Sequence, residues 1–261
     1  MDKLKTGIAR KKSFLCIGLD SDISKIPNRF KRYRNPVLEF NQAVIEATQH
    51  TCVSYKINTA FYESRGSKGW ADLENTVQYI SPEIFTIADA KRGDIGNTAA
   101  QYARAFFEEM CFDALTLSPY MGLDTLDPYL KYEDKVVIVL ALTSNKGSAD
   151  FETLKTESNL KLYEEVLKKV SAKANPEQLH FVVGATHPDS LASIRKLVPE
   201  NFLLVPGVGA QGGDLEKVYQ YGHNDHTGLL VNVSRGIIFA GNNSKDPIAE
   251  IVKAAEGYAG L

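Results

Sequence analysis

Eight short apolar runs, rich in β-branched residues, recur along the chain. Apolar positions within each run are continuous rather than alternating, which is typical of strands buried on both faces, as in a parallel sheet. The predicted strands cover residues 14–20, 52–58, 84–91, 114–119, 136–144, 180–186, 202–208 and 228–234.

Between these runs, apolar residues recur at spacings of three and four, the period of an amphipathic helix. The clearest sets are Val37, Phe40, Val44 and Ala47, then Leu73, Val77 and Ile80, then Leu162, Val166 and Val170. A proline after a polar residue is typical of a helix start, and this pair occurs at Asn35-Pro36, Asp246-Pro247 and His187-Pro188. Strands and helices therefore alternate along the chain.

Eight strand–helix units in about 250 residues are what a closed (β/α)8 barrel requires. We therefore predict an α/β fold, a single TIM barrel domain spanning residues 1–261. A doubly wound open sheet is the alternative, but the first strand is followed by Ser21-Asp22-Ile23-Ser24-Lys25 rather than by a G-x-G-x-x-G turn. Without glycines to hold a pyrophosphate there, a nicotinamide cofactor is not expected.

Two polar, glycine-containing stretches follow predicted strands, at residues 58–70 and 144–158. Loops after barrel strands carry function and tolerate motion, so we expect these stretches to be the most mobile parts of the chain.

Charge and composition narrow the classes of function. The chain has 30 Lys and Arg against 32 Asp and Glu, a formal charge of −2, and 44% hydrophobic residues. There is no block of five or six like charges, so the electrostatic pattern of nucleic-acid or anionic-membrane binding is missing. The apolar runs are too short to span a bilayer, and Phe14-Leu15-Cys16-Ile17 is too short for a signal peptide. We expect a cytoplasmic protein.

Cysteine and histidine lack the spacing of a metal site or a disulfide framework. The three cysteines, Cys16, Cys52 and Cys111, contain no C-x-x-C pair, and the five histidines are scattered. We expect buried, reduced thiols and no bound metal.

Polar residues follow the predicted strands at the end where a barrel builds its active site. The densest group is Asp89-Ala90-Lys91-Arg92-Gly93-Asp94. Asp89 and Lys91 are two residues apart on a strand, so both side chains are expected to point to the same side. A lysine beside carboxylates stays protonated, which suits a proton donor better than a Schiff-base nucleophile. The competing interpretation is a solvated turn with exposed ion pairs.

Lys56 closes the second strand and could be a surface lysine with its stem along the sheet. Beside Asp89, Lys91 and Asp94, however, it would complete an alternating array of charges in which each has an opposite neighbour. The array is the interpretation we favour.

A glycine-rich run at residues 206–213 follows the seventh strand and precedes a helix expected near Gly213-Asp214. Glycines let backbone N–H groups approach oxygen atoms, and a helix amino terminus favours an anion. Arg235, after the eighth strand, can donate two hydrogen bonds to a phosphate. Barrels commonly bind phosphate after strands seven and eight, so a phosphate site is predicted here.

With these motifs, the chain resembles the orotidine 5′-monophosphate decarboxylase family from Ile17-Gly18-Leu19-Asp20 to Ser234-Arg235-Gly236. The most specific part is the segment from Asp89 to Thr98, which looks like the subgroup that carries Lys-Arg-Gly-Asp. The resemblance implies conversion of orotidine 5′-monophosphate to uridine 5′-monophosphate and carbon dioxide in pyrimidine nucleotide synthesis. It also implies a homodimer without metal or cofactor, whose two active sites lie at the subunit interface.

The resemblance also assigns roles to residues. The family's charged tetrad falls on Lys56, Asp89, Lys91 and Asp94, and Asp94 and Thr98 are expected to reach into the partner's site. Ribose contacts fall on Asp20 and Lys56, the pyrimidine contact on Ser144, and the phosphate contacts on Gln211, Gly212 and Arg235. Protonated Lys91 would stabilise a vinyl carbanion at C6 and then protonate it.

Two other functions stay open at this point. Magnesium-dependent sugar-phosphate decarboxylases and aldolases of the same barrel superfamily share a D-x-K-x-x-D turn, and sensitivity to a chelator would distinguish them. A non-catalytic nucleotide-binding barrel is less favoured, because four retained charges would only lower the stability of a pure binder.

Overall fold

The eight strands in the described part of the computed structural model are hydrogen-bonded in chain order into a closed barrel. The structure describes residues 1–186, 188–208, 213–242 and 244–259. The predicted barrel is confirmed, and the open sheet is wrong. The strands are β1 (Leu15–Gly18), β2 (Ser54–Asn58), β3 (Phe85–Arg92), β4 (Ala114–Leu117), β5 (Val136–Leu142), β6 (Leu179–Val183), β7 (Leu203–Pro206) and β8 (Leu229–Val233).

Helices connect the strands, as the three-and-four spacing predicts. They are α1 (Asp2–Lys11), α2 (Pro36–Thr48), α3 (Ala60–Glu63), α4 (Gly66–Tyr79), α5 (Gly96–Arg104), α6 (Asp127–Leu130), α7 (Ser148–Phe151), α8 (Leu162–Ser171), α9 (Pro188–Leu197), α10 (Leu215–Gly222), α11 (Arg235–Ile238) and α12 (Pro247–Ala259). Short 3-10 turns lie at Phe30–Arg32 and Leu123–Leu126, and a π-helical turn at Ala105–Glu109. None of the helices in the described ranges combines the length and apolar character that a bilayer span requires.

Proline marks helix starts where the sequence predicts them. Helices begin at Pro36, Pro188 and Pro247, since proline's fixed φ suits the first helical position. Asp246 caps the last of these, because its Oδ1 accepts a hydrogen bond from the N–H of Ala249 at 3.2 Å. His187 lies outside the described residues.

The chain divides into two compact units. The first unit comprises Asp2–Ala90, Met110–Phe112 and Asn232–Leu261, and the second comprises Met1, Lys91–Glu109 and Asp113–Val231. Every residue of β1 in the first unit is buried, and so is every residue of β4 and β6 in the second. Burial on both faces is the reason these strands are continuously apolar in sequence.

The stretch at residues 58–70, one of the two for which we predict the greatest mobility, is largely helical. It contains α3 and the first turn of α4, which pack so closely that a Cβ at Gly69 would collide with the carbonyl oxygen of Tyr62. Residues 144–158 likewise contain α7. Polar, glycine-containing sequence does not by itself distinguish short packed helices from loops.

The cysteines are free, as predicted, but only Cys16 and Cys52 are buried. Burial raises the pKa of the Cys16 thiol to about 11. Cys111 is exposed, and its φ of 58° places it in the left-handed region, at the turn between the π-helical segment and β4. The expectation of burial is wrong at this residue because the turn directs it to the surface.

Candidate active site

A buried lysine between two carboxylates lies at the carboxyl ends of the strands of the first unit. Lys56 is only 3% exposed. Its Nζ donates a hydrogen bond to Asp89 Oδ2 at 2.8 Å and lies 3.8 Å from Asp20 Oδ1. The interpretation of Lys56 as a surface lysine is therefore wrong, and three of the predicted site residues are brought together.

The β2–β3 register explains this arrangement. Lys56 on β2 lies opposite Ile87 on β3, and Asp89 follows Ile87 two residues later on β3. The long lysine side chain can therefore extend along the sheet to the carboxylate at the strand end. Asp20 comes two residues after the end of β1, the other neighbour of β2.

The charges of this cluster fix its protonation. Burial by itself would lower the pKa of Lys56, but the carboxylates of Asp20 and Asp89 outweigh that effect and hold the pKa above its ordinary value. The ammonium is therefore charged at neutral pH. Asp20 Oδ1 is buried, accepts no hydrogen bond from the described residues and faces the Lys56 ammonium at 3.8 Å.

A buried hydrogen-bond network holds the loop that carries Asp20. Tyr62, on α3, donates a hydrogen bond from its hydroxyl to the carbonyl oxygen of Leu19 at 2.9 Å. Asn41, on α2, donates to that hydroxyl at 2.8 Å and accepts a hydrogen bond from Ser21 Oγ at 2.6 Å. Both residues that flank Asp20 in sequence are therefore fixed by side chains of neighbouring helices.

Sequence reasoning missed this network, although one signal was available. Asn41 lies on the face of α2 that Val37, Phe40 and Val44 also share, and a polar residue there needs buried partners. Asn41 also donates to Thr76 Oγ1 of α4 at 2.9 Å, so the network ties α3 and α4 to the loop after β1. Residues 58–70 thereby support the candidate site.

Lys91 belongs to the second unit and differs from Lys56 in its exposure to solvent and in its backbone conformation. Its side chain is exposed, and its φ of 49° lies in the left-handed region. The backbone N–H of Lys91 donates to Thr116 Oγ1 of β4 at 2.9 Å. Because the backbone is not extended at Lys91, the two-residue alternation used to pair it with Asp89 does not hold at this position.

The turn after Lys91 is held by Arg92. Its guanidinium lies over the rings of Tyr102 and Phe106, 5.2 and 5.5 Å from their centroids, a favourable cation–π geometry. The carbonyl oxygen of Arg92 accepts a hydrogen bond from the N–H of Ser118 at 2.8 Å. This arginine therefore anchors the turn to α5 and to the loop after β4.

Asp94 and Thr98 lie around the amino terminus of α5. Asp94 is half-buried and accepts a hydrogen bond from the N–H of Ile95 at 2.8 Å, and Thr98 is exposed. Between them, the apolar side chain of Ile95 is 56% exposed.

Ser144 follows β5, and its backbone lies close to Gly184, the first residue after β6. A Cβ at Gly184 would lie only 2.7 Å from the Ser144 backbone nitrogen. The neighbouring residue Thr143 donates from both its N–H and its hydroxyl to the carboxylate of Glu152, at 2.7 and 2.8 Å. Glu152, within the stretch at residues 144–158, therefore holds the residue that precedes the stretch.

The predicted phosphate residues are only partly described. Gln211 and Gly212 lie outside the described residues. The expected helix near Gly213-Asp214 is confirmed as α10, with Asp214 as its cap accepting from the N–H of Lys217 at 3.2 Å. Arg235, in the first unit, is exposed and is the first residue of α11, separated from the end of β8 by Ser234.

A model of the orotidine 5′-phosphate decarboxylase / HUMPS family matches residues 13–249. The chain belongs to this family. The curated orotidine 5′-phosphate decarboxylase of Bacteroides fragilis is 57% identical over 235 residues, which cover 89% of this chain and 86% of that protein. The family match at residues 13–249 spans all the strands that carry the candidate site.

Solved structures agree with the family assignment. The structure of Leishmania donovani OMP decarboxylase is 37% identical, with a TM-score of 0.84 over 98% of this chain and 96% of that one. The structure of Leishmania donovani UMP synthase is 38% identical, with a TM-score of 0.85 over 98% of this chain. The chain spans only 55% of that synthase.

Proposed function

We propose that this chain converts orotidine 5′-monophosphate to uridine 5′-monophosphate and carbon dioxide, with Lys91 as the proton donor. The activity, that of a carboxy-lyase of UMP biosynthesis, follows from family membership and from relatives 51–57% identical that are named for it. A sugar-phosphate enzyme or a non-catalytic barrel is not favoured by those relatives. The roles of individual residues rest on the geometry described above.

The buried Asp20–Lys56–Asp89 cluster is the observation that carries the proposal. A purely structural lysine with two carboxylates in a barrel mouth would cost stability without benefit. Next to a substrate, the same cluster presents a fixed pattern of charge to the ribose and to the reacting carboxylate. Asp89 is proposed to lie near that carboxylate, and Lys56 to keep Asp89 oriented and ionised.

The reaction requires the carbon–carbon bond at C6 to break with its electron pair left on C6. The ammonium of Lys91 stabilises this developing charge and then transfers a proton to C6, which forms the C6–H bond of the product. Lys91 is exposed, so it can recover a proton from water after each turnover. No metal ion or cofactor takes part in this scheme.

The remaining predicted residues bind the parts of the substrate that do not react. Asp20 and Lys56 contact the ribose hydroxyls, Ser144 the pyrimidine, and Gln211, Gly212 and Arg235 the phosphate. Binding energy from the phosphate, remote from C6, helps to order the site around the transition state.

The full site is proposed to form in a cytoplasmic homodimer of single-domain barrels, residues 1–261. Asp94 and Thr98 would enter the partner's site from the exposed amino terminus of α5. The exposed side chain of Ile95 supports this arrangement, because Ile95 follows Asp94 directly and is among the most exposed large apolar residues of the described chain.

The test is the ultraviolet absorbance of orotidine 5′-monophosphate over time with purified protein in excess EDTA. We expect the orotate band to disappear and uridine 5′-monophosphate to accumulate. A stable orotate band, with activity on a sugar phosphate after magnesium is restored, would overturn the proposal.

A further inference from the structure

We infer that Thr116 is a positioning residue for the reaction, acting through the backbone of Lys91. The inference rests on the proposed function, since it concerns the proton donor assigned there. Thr116 lies in the middle of β4, and its side chain is fully buried. Its Oγ1 accepts the hydrogen bond from the backbone N–H of Lys91 at 2.9 Å.

The conformation of Lys91 makes this contact consequential. At a φ of 49°, the Cβ of any residue except glycine crowds its own backbone, and such residues persist only where the surroundings fix them. The acceptor in this hydrogen bond is a side-chain oxygen, Thr116 Oγ1. A single substitution can therefore remove the contact and leave the backbone of β4 intact.

Arg92, the next residue along the chain, is held by other contacts. The carbonyl oxygen of Arg92 receives its hydrogen bond from the backbone of Ser118, and the guanidinium of Arg92 lies over Tyr102 and Phe106. Those contacts determine where the turn runs. Thr116 contacts the backbone of Lys91 itself, where φ sets the direction in which the lysine side chain leaves the strand.

The expected consequence is specific to the chemical step. A lysine side chain has several rotatable bonds. A change in the backbone at Lys91 therefore alters the distance from Nζ to C6 and the fraction of side-chain conformers that bring the ammonium near C6. Ribose and phosphate contacts are assigned to other residues, so substrate binding depends less on Thr116. Loss of this hydrogen bond should therefore lower kcat and leave KM nearly unchanged.

The experiment compares Thr116→Val, which keeps the shape and removes the acceptor, with Thr116→Ser, which keeps the hydroxyl. For Thr116→Val we expect kcat to fall by about ten- to hundredfold, as misplacement of a reacting group by about 1 Å does, with KM within about threefold. Thr116→Ser should retain kcat within about threefold. Binding of uridine 5′-monophosphate by calorimetry should be normal in both variants.

Thr48→Val is the matched control. Thr48 is also fully buried, and its hydroxyl donates to the carbonyl oxygen of Val44 within α2 at 2.7 Å. This variant removes a buried threonine hydroxyl far from the proton donor in sequence and should keep kcat. Equal losses in Thr116→Val and Thr116→Ser would assign Thr116 to packing and overturn the inference, as would unchanged kcat in Thr116→Val.

A crystal structure of Thr116→Val gives a readout that does not depend on activity. We expect Lys91 to leave the left-handed region, and an unchanged φ would overturn the inference. If the unsubstituted protein failed to decarboxylate orotidine 5′-monophosphate, the proposed function would fall, whereas the conformational role of Thr116 would still be decided by this structure.

Discussion

Two lysines of the candidate site are held in opposite ways. Lys56 is buried, and its ammonium is fixed by Asp89 at 2.8 Å and by Asp20 at 3.8 Å. Lys91 is exposed, and its backbone N–H donates a hydrogen bond to Thr116 Oγ1. The first arrangement suits a permanent charge that organises its surroundings, and the second suits an acid that must exchange its proton with water in every cycle.

Substitution of the exposed lysine should have the largest effect and is the strongest test of the proposed difference between the two lysines. For Lys91→Ala we expect turnover to fall by at least about 10⁴-fold, because both proton transfer and stabilisation of the C6 carbanion are lost. Stopped-flow or overnight absorbance assays would measure it, with calorimetric binding of uridine 5′-monophosphate as the control for an intact site. Near-normal turnover in a pure sample would remove Lys91 from the mechanism.

Removal of the buried lysine should act on stability as well as on activity. Lys56→Met leaves the buried Asp89 and the partly buried Asp20 without their cation, which should lower the free energy of unfolding by about 3 kcal/mol. Urea denaturation at neutral pH would measure this loss. The double variant Lys56→Met/Asp89→Asn should recover part of the stability but none of the activity, and a stable single variant would contradict the role of the cluster.

The pH dependence of this stability has a defined sign. The folded-state pKa of Lys56 is raised above its unfolded value, so its contribution is fully present below the unfolded pKa of about 10.4. It is lost only as the pH rises through the higher folded pKa. Between pH 7 and pH 9, the difference in unfolding free energy between the unsubstituted protein and Lys56→Met should therefore stay constant; a decline within that window would contradict it.

Arg235→Ala should separate binding from chemistry. The proposed phosphate contact is charge-assisted and remote from C6, so we expect KM to rise by about ten- to hundredfold, with kcat within a few fold. Steady-state kinetics would measure both, and the phosphate-free nucleoside orotidine is the control, because its poor turnover should be little affected. A larger fall in kcat than rise in KM would move Arg235 into the chemical step.

Tyr62→Phe should give the smallest effect of the series. It removes the donor to the carbonyl oxygen of Leu19 and leaves the ring in place, so the loop carrying Asp20 should loosen. We expect a loss of about 1 kcal/mol in the free energy of unfolding and a KM raised by a few fold. Tyr79→Phe, whose hydroxyl bonds Glu46 at an exposed position, is the control and should change neither quantity.

Much of the barrel and part of the site follow from sequence because they depend on local patterns. Continuous apolar runs predict strands buried on both faces, and neighbouring strands predict that Lys56 meets Asp89. The Asn41–Tyr62 network and the φ of Lys91 do not follow, since both depend on which elements pack together. Residues 58–70 read as a loop for the same reason: their helices are stabilised by tertiary contacts more than by local propensity.

The left-handed backbone at Lys91 implies a trade-off between stability and activity. Glycine would occupy this conformation without steric crowding, but it has no side-chain ammonium that could act as a proton donor. We therefore expect two inactive variants to differ, with Lys91→Gly more stable than Lys91→Ala by up to about 1 kcal/mol. If Lys91 is the proton donor proposed above, the residue that the backbone prefers is one that the reaction cannot use.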